Sequence, residues 1–461
     1  MSVIKAYTLP HPPLAVPAVG RGKEKDIPKT ISAYNEVGED IKNIKPETII
    51  YITPHSTLYS DYFHVSPGVG AHGDLSRFGA PGETFNAVYD EELIYEIERV
   101  AENSDISAGT QGQRDKNLDH GVTVPMWYIN KHYDDYKTIR VSQSGMSPAE
   151  HYLFGQAIAK AIDNLGRKTV VIASSDLSHR LKEGGAYDYS PDGALFDEAV
   201  ISALGSGDFL SLIKIPEALR EKAGECGYNS LMIMAGIFDC LDIDAKLLSY
   251  EGFFGVGYAI ASFLPLSQNP LRCRLEQFLE FTLQESDKNR DREDDYQKLA
   301  RRSLEHIIKT GGKLTDTNGL LPELLINKAG VFVSLHKNGR LRGCIGTIAP
   351  STKCIAEEII QNAVSAGLSD TRFSPVLEEE LPYLSYKVDV LSAPEKIDSP
   401  NQLDVKRYGV IVTSGMRRGL LLPNLDGVDT IEEQIEIAKN KAGISKNDEV
   451  RLERFEVIRH G

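Results

Sequence analysis

Tryptophan occurs once in 461 residues, cysteine five times and methionine six times. The cysteines (226, 240, 273, 344 and 354) are odd in number and include no CxxC pair. A disulfide framework or a structural zinc knot is therefore not expected, and a reducing cytosol suits them best. No apolar stretch reaches the ~20 residues of a membrane helix. The opening residues, MSVIKAYTLPHPP, lack the charged start and long apolar core of a secretion signal. The expectation is a cytoplasmic protein with no membrane partner. Positive charge is scarce as well: 51 Lys+Arg against 66 Asp+Glu leave a net −15. The deficit is concentrated, with 23 basic and 36 acidic residues in 1–265 but 28 and 30 in 266–461. A nucleic-acid partner would need a basic face, and none is expected.

The length exceeds one ordinary core at roughly 150 residues per domain, so two or three domains are expected. Over 1–265, short runs rich in Val, Ile, Thr and Tyr (Val3–Thr8, Thr48–Thr53, Thr138–Ser142, Thr169–Ser174) read as strands. Helical stretches lie between them, near 31–43, 90–103 and 149–165. Leu153, Ala157, Ile158, Ala161 and Ile162 recur at helical spacing in the last. A helical region interrupted near Pro216 and Gly224–Gly227 then runs from about 193 to 241, and a Gly-rich strand, Leu247–Phe263, closes the domain. This is an α/β class, a layered sheet with helices on both faces. Residues 266–295, ending in the charge run DKNRDREDD, read as a linker. A smaller α+β domain fills 296–461, opening on an amphipathic helix with Ala300, Leu304, Ile307 and Ile308 on one face.

Histidine is what the first part has in excess: eight of eleven fall within the first 180 residues. Three follow strands closely, His11 in LPHPP, His55 in TPHS and His179 in DLSH. If those strands are parallel neighbours, the imidazoles gather at one carboxyl edge, where open α/β sheets place ligands. A fourth, His120, stands in a loop within LDHG. His64, His72, His132 and His151 lack such a context and read as structural. Neutral imidazole is the commonest metal ligand. Two histidines with one carboxylate and open positions make the facial site of non-haem Fe(II) oxygenases. Glu225, in AGECGYNS, is the candidate carboxylate; Cys226 and Glu251 are the alternatives. Asp176 is placed either to orient His179 or to cap the turn after its strand.

With LPHPP, TPHS, LDHG, DLSH and ECGYNS in this order, residues 1–265 resemble the LigB-type (class III) extradiol ring-cleavage dioxygenases, a superfamily that includes the Memo-type proteins. The resemblance implies Fe(II) held by His11, His55 and Glu225, with His179 as catalytic acid/base and His120 handling substrate. Memo-type relatives resemble the chain at Cys226–Gly227, which puts Cys226 at the metal instead. From 296 the chain resembles the AMMECR family through LRGCIGT (341–347), DTRFSPV (370–376), VDVLSAP (388–394), GLLLP (419–423) and NKAGI (440–444). In that block Cys344 invites a nucleophile reading, against a structural or ligand-pocket role, and Arg342 and Arg372 could bind an anion, against the ordinary surface role that such residues more often have. The fusion resembles Memo–AMMECR–radical-SAM systems, which implies a radical-SAM partner.

The leading expectation is an Fe(II)-dependent extradiol-type dioxygenase acting on a small catechol-like substrate and O₂. A Zn(II)-dependent hydrolase using the same residues is the alternative enzyme. A non-enzymatic, metal-binding partner protein is the third reading. Oligomeric state is not legible, and a homo-oligomer is allowed.

Overall fold

The computed structural model describes residues 2–112, 116–185, 187–337, 340–415, 417–424, 428, 430–445 and 448–461. The chain divides into two units, Met1–Phe281 and Thr282–Gly461. The first is built on a six-stranded sheet: β1 (Val3–Leu9), β2 (Thr48–Thr53), β3 (Lys137–Ser142), β4 (Thr169–Ser174), β5 (Leu241–Glu251) and β6 (Tyr258–Gln268). The strand order is β3-β2-β4-β1-β6-β5. The first four strands run parallel, in register Thr53↔Ser142, Ile52↔Ala173 and Leu9↔Ser174. Every residue of β2 and β4 is buried, the continuous apolar pattern of parallel strands covered on both faces. Helices flank the sheet, among them Pro28–Ile44, Glu91–Glu102, Pro148–Leu165 and Tyr228–Ile237. Helix Pro148–Leu165 starts on a capping box between Ser147 and Glu150 and ends on Gly166 in the left-handed region.

Three expectations are corrected. The single closing strand Leu247–Phe263 is an antiparallel hairpin of β5 and β6, because Gly252, Gly255 (φ 87°) and Gly257 turn the chain within that stretch. His120 does not stand in a loop: it is the first residue of helix His120–Asn130, with Asp119 at the N-cap position. The scarce cysteines do form one disulfide, Cys240–Cys273, joining the start of β5 to the segment after β6. A second hairpin, Gly70–Leu75 with Ala80–Val88, has no counterpart in the sequence reading.

Helices Pro148–Leu165 and Tyr228–Ile237 cross backbone to backbone. A Cβ on Gly155 would lie 2.0 Å from the Ile233 carbonyl oxygen, and one on Gly236 would lie 1.9 Å from that of Tyr152. Gly236→Ala must push the helices apart, so a loss of about 1–3 kcal/mol is expected. Denaturant unfolding of the full chain measures it. An unchanged midpoint would show that the helices separate without cost.

The stretch 266–295 contains helix Leu275–Asp291, and Phe278 is buried with its ring 5.8 Å from that of Tyr152. The second unit has two four-stranded antiparallel sheets. One orders Arg340–Gly346, Val331–Lys337, Leu384–Leu391 and Val457–His460; the other orders Glu395–Ile397, Arg451–Phe455, Gly409–Ser414 and Arg417–Leu421. Helices Asp295–Thr310 and Ile355–Leu368 bury Leu299, Ala300, Leu304, Ile359 and Ala363 in the core that includes the first sheet's Val331, Val333 and Leu335. Among the described residues, no helix is long and apolar enough to cross a membrane.

Candidate metal centre

β1, β4 and β2 are adjacent and parallel, so His11, His179 and His55 all leave the sheet at its carboxyl edge. His11 and His55 meet there, with their Nε2 atoms 3.0 Å apart. The His120 ring stacks on His55 at 4.1 Å between centroids and stands edge-on to His11 at 5.3 Å. Helix His120–Asn130 can begin this close because residue 121 is glycine: a Cβ there would lie 2.3 Å from Thr53 Oγ1 and 3.3 Å from Ser174 Oγ.

Hydrogen bonding assigns the tautomer of His11. Ser174 Oγ donates to the Gly121 carbonyl at 2.6 Å, so it accepts from His11 Nδ1–H at 2.9 Å. That leaves the lone pair on His11 Nε2, aimed at His55. The backbone N–H of His11 donates to Asp176 Oδ1 at 2.8 Å. Asp176 thus holds the His11 loop; its other oxygen is 3.8 Å from His11 Nε2. On the His55 side, Thr53 Oγ1 accepts the His55 N–H and donates to Asp119.

The third donor the structure brings in is Cys226. Its Sγ is 3.5 Å from His11 Nε2, and the ligand atoms of His11, His55 and Cys226 all lie within 4.8 Å of one another. Glu225 is engaged elsewhere, accepting the Tyr228 N–H at 2.6 Å. Glu251 accepts from the N–H and hydroxyl of Thr30, at 2.7 and 2.8 Å. The turn that delivers Cys226 needs glycine at 227, where a Cβ would lie 2.3 Å from the Cβ of Ser175. Gln143, just past β3, fixes the same turn by donating to the Cys226 carbonyl at 2.9 Å. Gln143, Ser174 and Thr53 escaped the sequence reading, since polar residues at strand ends carry no distinguishing pattern.

Burial governs the electrostatics. It holds His11 well below the ordinary imidazole range, helped by neighbouring His55, and lowers His55 as well. His120 and His179 are brought down to about 4, by burial first, then by the charge of His55 and of Arg77 and Arg180 respectively. All four imidazoles are therefore neutral at neutral pH, with lone pairs free to accept a proton or a cation. Burial raises the Asp176 carboxyl to about 7, against the His11 N–H that opposes it. It also raises the Cys226 thiol, as do the carboxylates of Asp176 and Glu225. Among the described residues, buried His179 Nε2 has no hydrogen-bond partner, and the Tyr187 ring lies 4.9 Å from its own.

The family model described as the catalytic LigB subunit of aromatic ring-opening dioxygenase matches residues 5–261, more than half the chain. The chain belongs to the LigB family. Behind its LigB domain, the AMMECR1 model matches residues 297–460. A Clostridium acetobutylicum protein is 40% identical over 468 residues, covering 100% of this chain and 99% of its own length. A Thermotoga maritima protein is 47% identical over 167 residues, 36% of this chain and 96% of its own. Among solved structures, an uncharacterised Pyrococcus horikoshii protein is 34% identical, covering 36% of this chain and 88% of its own, with a TM-score of 0.33. An uncharacterised Escherichia coli K12 protein is 15% identical, covering 56% and 99%, with a TM-score of 0.39.

Outside the LigB domain, the remaining candidates are tied up internally. Arg342 forks onto Glu380 at 3.1 and 2.9 Å and reaches the carbonyls of Ser374 and Pro375. Arg372 forks onto Asp370 at 2.9 and 2.7 Å. Both guanidiniums serve loop anchoring. Cys344 Sγ accepts from Ser334 Oγ at 3.2 Å. Within the LigB domain, His64 and His151 are fully buried, and His151 caps its own helix start through Ser147 and Ser144.

Proposed function

We propose that the LigB domain is a mononuclear metal-dependent oxidoreductase of the extradiol type, opening a small aromatic diol with O₂. The observation that carries this reading is the convergence of His11 Nε2, His55 Nε2 and Cys226 Sγ. Two neutral imidazoles and a thiol suit a borderline divalent cation such as Fe(II) or Zn(II). The fixed tautomer of His11 supports a ligand role for its Nε2. When bound, the metal supplies a Lewis-acidic position for the diol oxygens and O₂.

The remaining chemistry belongs to the chain. His179 Nε2, neutral and unpartnered, takes the proton of the substrate hydroxyl. His120, stacked on His55, provides the second imidazole at the mouth and hydrogen-bonds the reacting oxygen. Phe78, whose ring is 5.5 Å from that of His120, and Tyr187 beside His179 furnish apolar walls for a planar ring. His55 is the solvent-facing member of the donor trio, so substrate enters on its side.

The thiol favours a second reading, Zn(II)-assisted hydrolysis with His179 as the base of a bound water, because thiolate is a common zinc ligand. Anaerobic loading with Fe(II) or Zn(II), followed by an oxygen-consumption and ring-cleavage assay on a catechol panel, separates them. Oxygen-dependent turnover only in the Fe(II) form is expected. Stoichiometric zinc with hydrolysis and no ring cleavage would replace the first reading with the second.

A further inference from the structure

A general base is ordinarily aimed by a hydrogen bond to its second ring nitrogen. His179 is not held in that way: among the described residues, no hydrogen bond is made to its ring. Asp176, three residues upstream, serves His11 instead. The aim of the His179 imidazole is therefore set through its main chain.

Five successive amides are tied down across this loop. The N–H groups of Leu177 and Leu181 donate to the carbonyls of Gly257 and Gly255, at 2.8 and 3.0 Å, in the turn between β5 and β6. That of His179 donates to the Ala223 carbonyl at 3.2 Å, and that of Arg180 to Ser178 Oγ at 3.0 Å. The remaining one, the Ser178 N–H, goes to a carboxyl: Asp197 Oδ1, at 2.8 Å, on helix Pro191–Ser206. Asp197 Oδ2 accepts the Tyr250 hydroxyl at 2.7 Å. Asp197 is buried, and a Cβ on Gly257 would lie 1.9 Å from its Oδ2. The carboxyl is thus wedged between the hairpin turn and the residue that precedes His179.

Among the described residues Asp197 has no cationic partner, and burial raises its carboxyl to about 7 against the two hydrogen bonds. Keeping an ionisable group in such a place costs stability, and its two acceptor atoms serve only the His179 loop and the Tyr250 brace. We propose that Asp197 is the positioning residue of His179: braced by Tyr250, it fixes the Ser178 N–H and so aims the imidazole at the substrate hydroxyl. This deepens the reading given above and rests on it for the proton that His179 takes. A shift of about 1 Å at a reacting group costs on the order of 10²-fold in rate, which is the use of holding this loop so closely.

The test compares steady-state rates of the full metal-loaded chain on the diol that the catechol panel identifies. Asp197→Ala is expected to lower kcat by about 10–100-fold, with KM and metal content unchanged. Asp197→Asn keeps an acceptor for the Ser178 N–H and should recover most of that loss. In the His179→Gln background, Asp197→Ala should cost nothing more, because the two residues act as a unit. An equal loss in both backgrounds, or an undiminished kcat in Asp197→Ala, overturns the proposal. Should Asp197→Ala fail to fold, Tyr250→Phe removes only the brace and carries the same cycle with a smaller loss. A second measurement needs no turnover: carbethoxylation of His179 by diethyl pyrocarbonate, read by mass spectrometry. It should run severalfold faster in the variant, while the fully buried His151 stays protected. Absence of ring cleavage by wild type would remove the oxygenase reading. The clamp then stands or falls on this labelling, and an unchanged rate at His179 sinks it.

Discussion

Cys226→Ser is expected to empty the metal site, whereas Glu225→Gln leaves it loaded. The Cys226 sulfur is the third atom of the cluster with His11 and His55. A serine hydroxyl at the same place does not ionise readily and is a poor ligand for a borderline cation. Losing a residue that merely supports a ligand already costs 10–100-fold in affinity, so removing the ligand itself should cost at least ~100-fold. Glu225 is different, because its carboxylate is occupied by the Tyr228 N–H at the start of the helix Tyr228–Ile237. Its amide keeps an acceptor oxygen there. Metal content after dialysis, by elemental analysis, reads both variants. Metal retained in Cys226→Ser and lost in Glu225→Gln would mean that the turn 224–227 rearranges when the ion binds, and that the glutamate is the ligand.

The other large effect is expected at His179. Its Nε2 is buried and unpartnered, and its pKa of about 4 keeps it neutral across the physiological range. A base held in that state accepts a proton from a substrate hydroxyl that becomes acidic on binding. Its removal should lower kcat by about 10²–10⁴-fold, the usual worth of a positioned general base. His179→Gln keeps a polar side chain of similar reach without a basic nitrogen, so metal content and melting temperature should be preserved. Single-turnover rates on the diol that the catechol panel identifies, with metal measured on the same sample, make the comparison. A variant with full metal and an undiminished rate would remove the acid/base role and leave proton transfer to His120 or Asp176.

Much of this site is legible along the chain, for a definite reason. A parallel strand buried on both faces must read as an apolar run, and ligands of an open α/β sheet gather just beyond such runs. Three histidines in that position are therefore visible without a structure, and so is the division into two domains, through the charge asymmetry and the motifs of the second part. The third donor of the cluster is not visible in the same way. Glu225 and Cys226 are neighbours in one glycine-flanked turn, and a backbone rotation decides which of them faces His11. Here the close contact of Gly227 with Ser175 and the hydrogen bond from Gln143 turn the sulfur inward and leave the carboxylate to the helix start.

The same distinction explains Asp176, which stands three residues before His179 in sequence yet binds the backbone of His11 across the sheet. It also explains Arg77 and Phe78. These lie on a hairpin with no apolar alternation strong enough to announce it, and they reach His120 only because the fold brings residues 76–78 to the mouth. The Cys240–Cys273 disulfide was hidden by 33 residues of separation, and only the return of the chain after β6 brings the two sulfurs together.

What the sequence determined by itself is the kind of domain: a histidine-rich, acidic α/β domain with histidines at the strand ends, followed by a nearly neutral AMMECR-type domain. Periodicity and strand-end position are local properties, and local properties survive in a one-dimensional reading. What only the tertiary structure decided is the composition of the site: sulfur in place of carboxylate beside the two imidazoles, and the serine that sets the His11 tautomer. Those depend on which backbone turns pack against which strand ends, and that is settled by contacts between residues far apart in the chain.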